Sequence, residues 1–162
     1  MAQVDFFLKL EGVPGESTDD KHKGEIDVES FSWGVTNTGT AGHGGGQGGG
    51  KAMAQDAQFT KRTDKSSPVL MIGCATGQHF KEALLTIRKA GGTQLEYLKF
   101  KLEGVMVTSY QTMGSPGGGG VVQESFALNF AKIEMIYKEQ KADGTLGGET
   151  KQKYDFEANK KI

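Results

Sequence analysis

The sequence predicts a mainly β domain, an antiparallel barrel or sandwich of two sheets with one short flanking α-helix. Three observations carry that reading. Segments of strand length alternate apolar and polar residues along most of the chain, as in Glu96–Thr112, where Leu98, Phe100 and Leu102 oppose Lys99, Lys101 and Glu103. Two long segments change their apolar face midway: beyond Gly104 the pattern resumes out of phase at Val105 and Val107, and Phe126, Leu128 and Phe130 hold one parity where Ile133, Met135 and Tyr137 hold the other. A strand that switches its buried side turns a corner between two sheets. Finally, one segment alone has both the start and the stop signals of a helix.

In chain order, Val4–Glu11 reads as a first strand ending in the turn residues Gly12, Pro14 and Gly15, and a polar loop follows. Glu25–Asn37 alternates at its start, with Ile26 and Val28 on one face and Asp27 and Glu29 on the other, then changes phase at Ser30–Trp33 as at a bulge or bend. Residues 38–51 hold almost only Gly, Thr, Ala and His, too long for a tight hairpin turn and too poor in side chains to pack, so they form a projecting loop. Ala52–Arg62 reads as a strand, although its Ala, Met and Gln also suit a helix. The helix is Ser67–Gly77, with Ser67 as N-cap, Pro68 at the first helical position and Gly77 as the stop. Glu82–Ala90 places Ala83, Leu85 and Ile87 opposite Thr86 and Arg88 and ends in a Gly91–Gly92 hairpin turn. After a polar stretch, Lys141–Thr150, Tyr154–Phe156 closes the fold as a last short strand. The expected total is roughly seven strands around one core, in a single domain spanning residues 1–162. Phe31, Trp33, Phe59 and Phe130 belong to that core.

Composition excludes several classes. A net charge of -1 gives no pull toward nucleic acid or anionic membranes. One cysteine, Cys74, rules out an internal disulfide. Asp5 and Lys9 interrupt what would be the apolar run of a signal peptide, so the expectation is cytoplasmic synthesis and export by a route that reads the folded protein, with no membrane insertion.

Catalytic chemistry finds no foothold. Gly45 and Gly50-Lys51 have the spacing of a phosphate-cradling loop, which keeps a nucleotide-binding protein or enzyme using residues 44–51 as the alternative reading. That cradle needs Ser or Thr after the lysine and a helix beginning there, whereas this chain has Ala52. His22, His43, His79 and Cys74 have no zinc spacing, so no metal and no cofactor is expected. Arg88, Lys89, Lys99 and Lys101 with Tyr97 and Phe100 suggest a single-strand nucleic-acid platform, but Glu96 and Glu103 neutralise the stripe and Phe100 lies on the opposite parity.

Several segments in order resemble the haemolysin-coregulated proteins (Hcp) of bacterial type VI secretion. They are Gly15-Glu16-Ser17 with Asp20 and His22, Glu25–Val28 leading into Ser32-Trp33-Gly34, the Gly-rich loop 44–51, Phe59-Thr60-Lys61 and Asp64-Lys65-Ser66. Leu84–Gly92, Glu96-Tyr97-Leu98, Leu128–Ala131 and Gln140–Gly144 complete the set. The resemblance implies a structural subunit and not an enzyme. Six copies would close into a ring, and the rings would stack into a tube inside a contractile sheath, capped by a spike protein and carrying secreted effectors. It also implies that the position of Ser32 faces the lumen, which makes Ser30 and Ser32 the expected effector-binding residues. The expected ring-stacking loop is Gly39, Gly42, His43, Gly44, Gly45, Gly46, Gln47, Gly48, Gly49, Gly50 and Lys51, since glycine backbone packs closely without steric demand.

Overall fold

A computed structural model describes residues 4–39, 50–89, 94–117 and 119–162. The elements are β1 (Val4–Leu10), β2 (Ile26–Val28), β3 (Ser30–Thr36), β4 (Met53–Arg62), α1 (Ser66–Thr76), β5 (His79–Lys89), β6 (Glu96–Met113), β7 (Gln123–Asn129), β8 (Lys132–Gln140), β9 (Leu146–Asp155) and β10 (Lys160–Lys161).

Every strand pairing is antiparallel, and the ladders close on themselves. β6 pairs with β5, β5 with β1 and β1 with β2; β3 pairs with β4, β4 with β7 and β7 with β6. The circuit is completed because β2 runs into β3 through Glu29, whose N–H donates to the Thr60 carbonyl at 2.8 Å. This is the expected barrel, and both expected corners are in it. β6 pairs with β5 and β8 along its first half and with β7 along its second. Between them Gly104 takes φ +64°, and a Cβ there would stand 3.0 Å from Ala131 Cβ, so the corner excludes other residues on conformation and space alike. The second corner is the break between β7 and β8 at Phe130–Ala131, where Ala131 N–H donates to the Glu103 carbonyl at 2.9 Å. The register also slips between Ser32 and Gly34, which accounts for the phase change read at Ser30–Trp33.

The core lies inside this circuit. Leu8, Ile26, Leu85, Phe100, Leu102, Val105, Phe126 and Leu128 are buried there. Phe31 and Trp33 reach it from β3, with ring centroids 5.9 and 5.7 Å from Phe100. Helix α1 packs over it through Leu70 and Gly73, and Gly77 ends the helix in the left-handed conformation, as read from the sequence. The start of the helix differs. It begins at Ser66 behind Lys65, and Asp64 supplies the cap by accepting from Ser66 N at 2.9 Å, while Ser67 Oγ faces inward. A local pattern of Ser before Pro could not reveal that this serine has a buried partner.

Two further expectations change. The described residues make ten strands where roughly seven were expected, and β9 begins at Leu146, not at Tyr154. Its residues Gly147–Thr150 read as part of a polar stretch because β9 lies in a β8–β9–β10 extension that leaves the barrel at β6, so little of it is buried. The expected hairpin turn at Gly91-Gly92 lies outside the described residues.

Candidate functional surfaces

β3 presents two chemistries on its two faces. Phe31 and Trp33 point into the core, while Ser30 and Ser32 are exposed on the opposite face. The ladder extends that face sideways. Ser32 stands opposite Gln58, Gln58 opposite Ala127, and Ala127 opposite Ser109; Ser30 stands opposite Thr60, Thr60 opposite Ser125, and Ser125 opposite Gln111. Cross-strand partners share a face, so these residues form two rows of short, uncharged side chains across β3, β4, β7 and β6. Charge on this face flanks the two rows along the strands. At one end Glu29 accepts from Arg62 Nε at 3.2 Å and from Gln123 Nε2 at 3.1 Å. At the other, Asp56 accepts from Thr108 Oγ1 at 2.7 Å and Asn129 Nδ2 at 2.9 Å. The resemblance singles out Ser30 and Ser32 as expected lumen residues; their partners on β4, β6 and β7 depend on register, which no single segment encodes.

The sheet is anchored from behind by a charged group that sequence reasoning missed. Lys61 and Glu124, neighbours in the β4–β7 ladder, both have no exposed side chain and form an ion pair. Glu124 also accepts from Ser67 Oγ at 2.7 Å and Tyr110 Oη at 2.6 Å, and Lys61 Nζ donates to Asp64 at 2.8 Å. Burial alone would push the Glu124 carboxyl up; the hydrogen bonds from Lys61, Tyr110 and Ser67 outweigh it and hold the group below the ordinary range. Every charge is satisfied, which fixes α1 against β4 and β7. A signal existed, because Lys61 and Glu124 fall on the apolar parity of their strands.

A second polar cluster folds residues 11–25 over the outside of β1 and β5. His22 is buried, stacks on Phe7 at 4.4 Å, and places its ring nitrogens 3.0 Å from Glu25 and 2.6 Å from Glu96. Arg88, also buried, donates to Asp19 at 2.7 Å and Asp5 at 3.1 Å. Its hydrogen bonds hold Asp19 at a pKa of about 2. Arg88 is therefore absent from any basic surface. Lys99 and Lys101 pair with Glu96, Glu82 and Glu103. Three of the four cations of the single-strand nucleic-acid platform, Arg88, Lys99 and Lys101, are thus committed to carboxylates.

Of the expected stacking loop, Gly39, Gly50 and Lys51 are described and Gly42–Gly49 lie outside the described residues. Its base is a narrow neck, where Thr36 pairs with Met53 and Gly50 N–H donates to the Thr38 carbonyl at 3.2 Å. A Cβ on Gly50 would meet Thr38 at 2.7 Å. After Lys51 the chain enters strand β4, not the helix that a phosphate cradle requires. Among the described residues no group of three His, Cys, Asp or Glu could hold a metal ion, and no helix is long and apolar enough to cross a membrane.

Comparison with known proteins agrees across sequence and structure. Residues 7–137 match the family described as "Type VI secretion system effector, Hcp". The chain is 48% identical over 146 residues to Protein hcp1 of Pseudomonas aeruginosa, covering 90% of each. Its fold is similar to a structure described as a type six secretion system protein, with a TM-score of 0.92 at 34% identity over 99% of this chain and 100% of that one. It is also similar to Hcp1 of Salmonella typhimurium, with a TM-score of 0.81 at 36% identity over all of both chains.

Proposed function

The chain belongs to the Hcp family and is a tube subunit of type VI secretion; from that premise we propose that six copies close into a ring whose lumen is walled by the exposed face of β3, β4, β7 and β6. The observation that carries this reading is the chemistry of that face. Ser30, Ser32, Gln58, Thr60, Ser125 and Ala127 are small or neutral. A wall of this kind gives passing protein cargo many weak polar contacts and no charge of its own to select for or against. Strands β4 and β7 hold it rigid through the Lys61–Glu124 pair behind it.

The tube subunit acts by assembly and carriage, with no enzymatic step. Rings assembled in the cytoplasm stack within the contractile sheath behind a spike protein, and effectors travel in the lumen. The loop 39–51 is the stacking element, extending from the hairpin neck at Thr38 and Gly50. Nothing supports the alternative of nucleotide binding at residues 44–51, since a strand follows Lys51.

Replacing Ser32 with tyrosine tests the lumen assignment. Ser32 is exposed, so the change costs within about 0.5 kcal/mol of stability. The ring keeps its mass while the amount of co-expressed effector that co-purifies falls several-fold. Undiminished effector recovery with an intact ring overturns the assignment of this face to the lumen.

A further inference from the structure

Two register shifts of the barrel converge on the exposed face of β3, β4, β7 and β6. In the β3–β4 ladder, Asp56 and Ala57 stand between the paired residues Gln55 and Gln58, where β3 has only Trp33 between Gly34 and Ser32. In the β6–β7 ladder, Thr108 stands between Val107 and Ser109, whose partners Leu128 and Ala127 adjoin each other. An extra residue in one strand interrupts the alternation and re-aims a side chain. Here both shifts aim at one point. Thr108 Oγ1 donates to one oxygen of Asp56 at 2.7 Å, reaching across β7, and Asn129 Nδ2 on β7 donates to the other at 2.9 Å.

The product is a carboxylate held in place by neutral donors. Asp56 makes no ion pair among the described residues, and Lys51 lies before the start of β4. At the opposite flank of the two neutral rows, Arg62 and Glu29 pair at 3.2 Å and cancel. The remaining side chains of this face are uncharged, so each copy presents one net negative charge there, that of Asp56. Clamping two bulges together needs only an acceptor, and an amide oxygen in the same place would also accept from Thr108. The charge of Asp56 is surplus to the fold and faces outward.

We infer that Asp56 is the cargo-selecting residue of the lumen, receiving lysine and arginine side chains from the surface of a basic protein. The inference rests on the proposed ring and lumen, and it adds the class of partner that the neutral rows leave open. In that ring six Asp56 carboxylates stand at one level of the wall, on the side of the loop 39–51, because Asp56 lies beside the strand start at Met53. A single exposed ion pair contributes little, but a cargo with several cations engages several copies at once. Basic cargo is therefore retained, acidic cargo is repelled, and both effects weaken with salt.

The test uses fluorescein-labelled decalysine as the cargo probe and rings of the full chain whose mass is checked by light scattering. Fluorescence anisotropy at low salt shows binding that Asp56→Asn weakens about tenfold. Glu157→Gln, which removes an exposed carboxylate in the turn after β9, leaves that binding unchanged. Carbodiimide coupling of bound decalysine to wild-type rings gives an adduct at Asp56, located by mass spectrometry; this readout needs no substitution and decides the matter where Asp56→Asn fails to assemble. Equal affinity in wild-type and Asp56→Asn rings, or coupling that omits Asp56, overturns the inference while leaving the ring. A wild-type chain that is itself monomeric overturns the ring reading, and the inference with it.

Discussion

Lys61, Glu124, His22 and Arg88 are buried polar residues whose roles depend on partners distant in the chain. Glu124 meets Ser67 across 57 residues and Arg88 meets Asp19 across 69. Alternation placed Ala83, Leu85 and Ile87 of β5 opposite Thr86 and Arg88, as they stand, but it could not foresee that Thr86 and Arg88 on the outer face are covered by residues 11–25. Ser30 and Ser32 fall on the exposed face because Phe31 and Trp33 take the core face; their expected place in the lumen comes from the family resemblance. The Arg88–Asp19 pair also has a pH signature. Asp19 is held at about 2 against 3.8 for a free aspartate, so its contribution to stability is full above about pH 4 and is lost as pH falls through 2. Asp19→Asn therefore unfolds more readily at neutral pH and loses less stability than the wild type between pH 4 and 2. Denaturant midpoints measured across that range check this; parallel curves for the two proteins contradict it.

At the scale of elements, a barrel corner was legible wherever it required a change of parity. Gly104 combines a phase slip, a positive φ and contact with Ala131, so one residue records in sequence what β6 does in space. β9 was harder to read because it pairs with β8 outside the barrel, where burial imposes no alternation on Gly147, Gly148 and Thr150. The hairpin of β3 and β4 has a register fixed by pairs from Ser30–Thr60 to Thr36–Met53, and its loop therefore starts from a defined neck. Replacing residues 39–50 with a two-residue turn should leave that register and the ring intact while abolishing tube growth. Electron microscopy of concentrated protein reads the outcome, and variant rings that still stack end to end sink the stacking role of the loop.

At the scale of the whole molecule, the distribution of charge suits the proposed assembly. The buried charges at Lys61 and Arg88 are paired, while the two rows across β3, β4, β7 and β6 are neutral. Such a face is the wall that the proposed ring with a hollow centre needs. Fold class and tube role could be read from periodicity and ordered family-like segments; the neutral rows could not, because they join residues from β3, β4, β6 and β7. The mass and projected shape of the purified protein in solution test the account most directly. It predicts a ring of about 104 kDa, six times the 17.4 kDa chain, with an open centre. A 17.4 kDa particle at every concentration, or a compact oligomer with no central opening, would contradict it.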